Sequence, residues 1–144
     1  MYECAAITIF LCGKHITASL AANINAPERS LFLHTLVYFS SSVQTAFQLD
    51  YHAHRFANMP EDDPSAQRRG CRRLRETWQV IDDQISDNQW ILGNQFSSAD
   101  IYLFMLKTWL ETSRGHPNID EFPNVQRIAN AVLLRPSLQR VYGN

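Results

Sequence analysis

The sequence predicts an all-α fold, a helical bundle built around one central helix, and three observations carry that prediction. Apolar residues recur at helical spacing: Phe32, Leu36, Phe39, Val43 and Phe47 step by four, three, four and four, and Leu74, Trp78, Ile81 and Ile85 by four, three and four. Strand signals are nearly absent. Only Ala5 to Cys12 is β-branched enough to suggest one, and its flanks do not form a hairpin. The run Phe96-Ser97-Ser98-Ala99-Asp100-Ile101 is a complete helix start. At 144 residues, with 45% apolar and 19% charged residues, the chain can bury a real core.

Taken in order, Glu3 to Cys12 reads as a short helix ending at Gly13, and His15 to Ala26 as a connector. Pro27 can open the next helix at its first position, with Glu28 suited to the positive end of the helix dipole. From Glu28 to about Ala57 there is neither Gly nor Pro, which predicts one long helix. Asn58 to Asp63 is a loop, Asp63 a cap, and Pro64 the first residue of a second long helix. Two such stripes joined by a short loop should pack as an antiparallel hairpin. Ser86 to Gln95 then turns into the stapled helix.

That helix should be capped by Ser97. Its hydroxyl accepts the Asp100 backbone N–H, three residues on, and the Asp100 carboxylate reaches back to the Ser97 N–H, a capping box. Phe96 and Ile101 take the two positions of a hydrophobic staple. Ile101 to Leu110 is apolar on nearly every side, so the helix should be buried all round, and it is too short for a bilayer, which needs ~20 residues. Gly115-His116-Pro117-Asn118 ends it. Pro123 opens another helix with Val125, Ile128, Ala129 and Val132 inward, and Pro136 to Tyr142 forms a last short one.

A net charge of −1 gives no electrostatic case for nucleic acid or membrane as partners. Arg68, Arg69, Arg72, Arg73 and Arg75 form a basic run without interleaved aromatics, which reads as a solvated face paired with Glu61, Asp62 and Asp63. Cys4, Cys12 and Cys71 are an odd number with no metal spacing, which fits reduced thiols in a cytoplasmic protein. The start Met1-Tyr2-Glu3-Cys4 lacks the basic region of a signal peptide. His52 and His54 stand two apart on the expected helix and share no face, so no metal site is expected. Trp78, Trp90 and Trp109 read as core or turn anchors.

The run Trp90-Ile91-Leu92-Gly93-Asn94-Gln95-Phe96-Ser97-Ser98-Ala99-Asp100-Ile101-Tyr102-Leu103 resembles the start of the core helix in the C-terminal domain of glutathione S-transferases. The ending Phe122-Pro123-Asn124-Val125 with Arg135-Pro136-Ser137-Leu138 fits the same family. Glu3-Cys4-Ala5-Ala6-Ile7 with Phe10-Leu11 resembles the family's "E-S-x-A-I-x-x-Y-L" segment, the last helix of its thioredoxin-like domain. The resemblance therefore implies two units: residues 1–14 as the remnant of that helix, and 15–144 as the helical domain. It also implies that roughly the first sixty residues of a family member, which carry the thiol-activating residue, have no counterpart in this sequence.

By the same resemblance, Glu3 and Cys4 would hold the γ-glutamyl end of glutathione, the co-substrate. The physics is a carboxylate at a helix N-terminus and an ammonium on an acid. Cys in the family's Ser place is a poorer hydrogen-bonding group. The spacing is nearest to the bacterial beta class, whose "T-E-L-H-x-x-F" run corresponds to Ser41-Ser42-Val43-Gln44-Thr45-Ala46-Phe47. Ser41, Ser42 and Gln44 would then form part of the substrate wall, with Gln44, which cannot titrate near neutral pH, in the place of the His. The implied activity of a complete member is conjugation of glutathione to an electrophilic apolar substrate, in detoxification, by a homodimer. The chain itself supplies no catalytic residue. The alternative is a non-catalytic protein-interaction module of the same fold; a fragment, or a start codon placed too late, is a third reading. An exposed apolar patch around the first helix and Val37, Phe39 and Val43 is expected in each case.

Overall fold

A computed structural model describes residues 2–143; Met1 and Asn144, which end the two expected units, lie outside them. The all-α expectation holds. The helices are α1 (Cys4–Lys14), α2 (Arg29–Tyr38), α3 (Gln44–Tyr51), α4 (Asp63–Ile85), α5 (Ser98–Lys107), α6 (Pro123–Leu133) and α7 (Pro136–Tyr142). Among the described residues the only β-type pairings are two isolated bridges in the 90–95 loop, Trp90 to Gly93 and Leu92 to Gln95. None of these helices is long and apolar enough to cross a membrane.

α2 and α3 are two halves of one rod, joined by a π-helical turn at Phe39–Val43. The Gln44 N–H bonds to the Phe39 carbonyl, five residues back. The hydroxyls of Ser40 and Ser41 donate to the Val37 carbonyl at 3.1 and 2.8 Å. Short hydroxyl side chains compete for backbone acceptors, and a wide turn absorbs the resulting surplus residue. The rod therefore differs from the plain helix expected through Ala57. It ends at Tyr51, where His52 leaves helical space (φ −130°, ψ 41°) and a 3-10 turn, Ala53–Arg55, follows.

Every member of the two apolar stripes is buried. α4 packs chiefly on α3. Gly70 makes the close approach possible, because a Cβ there would stand 3.0 Å from both the Ala46 carbonyl and the Asp50 N–H. α4 begins one residue earlier than expected: Asp62 holds the cap position and Asp63 is the first helical residue. Of the expected exposed patch, Phe39 and Val43 are fully buried instead, while Val37 is exposed, as are Ile7, Phe10 and Leu11 of α1. α1 also runs one residue past Gly13, to Lys14.

α5 is the buried centre, with Ala99, Tyr102, Leu103, Phe104 and Leu106 in the core. It stops at Lys107, well before Gly115. Its start matches the capping-box expectation. Ser97 N–H donates to Asp100 Oδ2 at 2.8 Å, and Ser97 Oγ accepts from the Ala99 N–H at 3.2 Å. The second carboxylate oxygen also holds the Ile91 N–H at 2.9 Å, so Asp100 fixes the preceding loop as well. The start of α6 is capped from outside the segment: Asp82 of α4 accepts from the Asn124 and Val125 N–H groups at 2.8 and 2.9 Å. The basic run is not neutralised as expected. Arg75 pairs with Glu121, and among the described residues no ion pair joins it to Glu61, Asp62 or Asp63.

Candidate functional site

Three helices bring their polar groups together at one point. Gln44 opens α3 directly after the π turn, Cys4 opens α1, and Tyr102 lies one turn into α5. The Tyr102 hydroxyl donates to Gln44 Oε1 at 2.8 Å, and Gln44 Nε2 approaches Cys4 Sγ at 3.9 Å. The Phe39 ring meets Tyr102 edge to face at 5.4 Å, which fixes the ring. Burial, then the nearby Cys4 thiol and Glu3 carboxylate, push the Tyr102 hydroxyl far above its ordinary pKa, so it remains a proton donor. Glu3 is exposed, at φ 67°, and makes no cap bond to α1.

Two hollows flank this junction. One, of about 170 Å³, is lined by Cys4, Thr8, Ser98, Ile101, Tyr102 and Met105. The other, of about 190 Å³, is lined by Gln44, Phe47, Gln48, Tyr51, His52 and Trp109. Gln44 and Cys4, both singled out by the sequence, are thus brought together. Ser41 and Ser42 line neither hollow, and the Ser41 hydroxyl is turned back to Val37. Phe96 packs against Trp90 at 4.9 Å and carries the Arg135 guanidinium at 3.7 Å. A larger cavity, about 360 Å³, lies between α1 and the 16–29 connector. Its one charged group, Arg29, is already engaged by the Ala22 carbonyl and the Phe32 ring, which leaves the Gln44 junction as the better-equipped site.

The wall of the second hollow is held from behind by a buried ion-pair network. Asp50 Oδ2 accepts from Arg114 Nε at 2.6 Å and from His116 Nε2 at 3.0 Å. His116 Nδ1 accepts the Glu111 N–H at 3.0 Å, which places the ring proton of the neutral imidazole on Nε2. The Arg114 guanidinium lies 4.6 Å over the Tyr51 ring, and the Tyr51 hydroxyl meets Glu111 Oε1 and the Trp109 carbonyl, each at 2.9 Å. Burial and the Glu111 bond raise the Tyr51 hydroxyl to about 12. Asp50, Cys71 and His116 also place one oxygen, one sulfur and one nitrogen within 4.8 Å of one another. Arg114 occupies the carboxylate, and the His116 Nε2 lone pair is taken by its proton, so these donors serve the network and are not arranged for an ion.

The sequence alone assigned no site role to Tyr102, Asp50, Arg114 or His116. The signal for Tyr102 was a hydroxyl inside an otherwise apolar run. The network joins residues 64 and 66 positions apart, which no local pattern reveals.

Residues 37–136 match the model of the glutathione S-transferase C-terminal domain. The chain belongs to that family. Solved structures agree on the fold. BphK, a bacterial GST solved as a ternary complex, superposes with a TM-score of 0.81 at 21% identity, over 97% of this chain and 66% of its own. The bacterial beta-class glutathione S-transferase of Sphingomonas chungbukensis gives 0.79 at 22%, over 100% and 69%. A glutathione transferase homolog from Sulfitobacter, with bound glutathione, gives 0.87 at 18%, over 98% and 74%. This member of the glutathione S-transferase family thus spans about two thirds of the length of the first of these relatives. No curated protein sequence matches it.

Proposed function

We propose that this chain is the substrate-binding helical part of a glutathione S-transferase, acting in a complete enzyme that joins glutathione to an apolar electrophile. The observation that carries the reading is the meeting of Cys4, Gln44 and Tyr102 between two hollows. Glu3 and Cys4, at the positive end of α1, would take the γ-glutamyl carboxylate and ammonium. Phe47, Tyr51 and Trp109 would take the apolar group, with Gln44 and the Tyr102 hydroxyl between the two as neutral donors. Ser41 and Ser42 would contribute to the wall only beyond the hollow. The reading also includes a cytoplasmic setting, a homodimer through the α2–α3 rod and α4, and a role in detoxification.

A second reading rests on a separate observation. Phe10, Leu11 and Ile16 are 51, 48 and 76% exposed, an apolar strip that suits a protein partner. Calorimetric titration with S-hexylglutathione, which carries both a γ-glutamyl end and an apolar tail, separates the two. Under the first reading Tyr51→Ala weakens the conjugate by about tenfold and leaves glutathione itself unchanged, whereas Glu3→Ala weakens both. Conjugate affinity untouched by Tyr51→Ala and Glu3→Ala would leave the interaction-module reading in its place.

A further inference from the structure

The arginine run of α4 is unabsorbed by the site described above. Arg68, Arg72 and Arg75 stand at i, i+4 and i+7, on one face of the helix. They border a groove of about 540 Å³ between α4 and the turn that carries Arg114 and Gly115, with the Cys71 thiol also in its lining. Two carboxylates reach this region. Glu121 binds Arg75 through two contacts, at 2.8 and 3.2 Å, and Asp50 binds Arg114. Four guanidinium groups therefore face two carboxylates, and among the described residues Arg68 and Arg72 have no hydrogen-bond or ion-pair partner. Burial, then Asp50, hold the Cys71 thiol above its ordinary pKa, so it adds no negative charge.

We propose that this groove is an anion site, with Arg68 and Arg72 as its reading residues and a small diphosphate as its ligand class. The two free guanidiniums sit one helical turn apart, about 6 Å along the axis. Together they offer ~ten N–H donors in two planar forks, more than a single carboxylate with its ~four lone pairs can satisfy. Two linked phosphoryl groups meet both forks at once. The free groove also sets two like charges at i, i+4, a repulsion that opposes the helix. A bound dianion removes it. Every lining residue comes from positions 64–115, so the site is independent of the Cys4–Gln44 junction and of anything that would cover α1.

The test uses the full chain, with inorganic pyrophosphate as probe in metal-free buffer at constant ionic strength, followed by calorimetry and thermal melting. Pyrophosphate is expected to bind and raise the Tm. Arg68→Gln/Arg72→Gln should weaken binding at least ~tenfold and remove the Tm rise, while raising the Tm of the ligand-free chain. Arg69→Gln/Arg73→Gln removes the same charge from the same helix outside this groove and should leave binding within about twofold of wild type. Orthophosphate should bind more weakly than pyrophosphate. Equal losses in the two double variants would overturn the proposal in favour of a diffuse charge effect. Orthophosphate binding as tightly as pyrophosphate would overturn the two-group ligand, and no Tm rise over matched sodium chloride would overturn the site altogether.

Discussion

Asp100 and Asp50 are both buried carboxylates, at 0 and 3% exposure, and they are built in opposite ways. Asp100 is satisfied within ten residues of itself, by the N–H groups of Ser97 and Ile91 and the Ser97 hydroxyl. It receives only neutral donors. Asp50 is satisfied by Arg114 and His116, from the far side of the fold, and at least one of its partners is a full cation. The first is a feature of chain entry into a helix, and the second is a clasp between the end of the rod and the turn after α5. A local motif can be written into adjacent residues. A clasp exists only once α3, α4 and the 112–116 turn are already packed.

The largest expected effect is at Asp100. Asp100→Ala leaves two backbone N–H groups and one hydroxyl unpartnered in the interior, at ~1–3 kcal/mol each when uncompensated. Partial relaxation brings the expected loss of unfolding free energy to about 3–4 kcal/mol in denaturant unfolding. A loss under ~1 kcal/mol would mean that water replaces the carboxylate and that the interior there is not closed.

Asp50→Ala comes next, at about 2–3 kcal/mol. Breaking a buried pair costs ~3–5 kcal/mol, but the Arg114 side chain is 35% exposed and can turn to solvent. The distinguishing readout is a double-mutant cycle with Arg114→Gln. A coupling above ~1 kcal/mol is expected for a clasp, and additivity would reduce the pair to a surface contact. Because the clasp seats the Tyr51 ring, Asp50→Ala should also weaken binding of an apolar ligand in the Trp109 hollow, whereas Asp100→Ala at equal folded fraction should not.

Ser97→Ala is smaller, about 1 kcal/mol, the ordinary cost of a lost cap. The double variant with Asp100→Ala should fall short of the sum, because the two residues share one motif. Full additivity would show that the Ser97 hydroxyl and the Asp100 carboxylate act separately.

The smallest effect is a slope. Burial outweighs the hydrogen bonds and holds the Asp100 carboxyl above its ordinary 3.8. Just above that pH the folded chain keeps a proton that the unfolded chain has released. This group's contribution is therefore fullest below 3.8 and is lost as pH rises through the folded value. Stability measured across that window should fall more steeply with rising pH for wild type than for Asp100→Asn. A slope of the opposite sign would mean that the three hydrogen bonds outweigh desolvation.

The same division explains what could be read in advance. The stripes Phe32 to Phe47 and Leu74 to Ile85, the Pro123 start and the Ser97 cap are all periodic or contiguous, and each is found where the sequence put it. Gln44 and Cys4 were legible through family resemblance, and their meeting with Tyr102 was not, because it depends on how three helices are placed. Asp82 as the cap of α6 and Gly70 as the contact point of α3 and α4 were likewise invisible, since each acts on a partner distant in sequence. The basic run misled for the same reason: the acid that answers Arg75 is Glu121, not the neighbouring Glu61 to Asp63.

The wide turn at Phe39–Val43 has a consequence for how this rod can vary. One residue more than an α-helix requires is stored there, among three consecutive serines. Removing one of Ser40, Ser41 or Ser42 would let the rod revert to uniform winding without disturbing the registry of either half with the core. Removing a residue from α2 would rotate Gln44, Phe47 and Asp50 together by about 100° relative to the start of the rod. The rod is thus tolerant of a change in length at a single place, directly ahead of the residue on which the candidate site turns, and a serine lost there should leave a folded chain whose junction still closes.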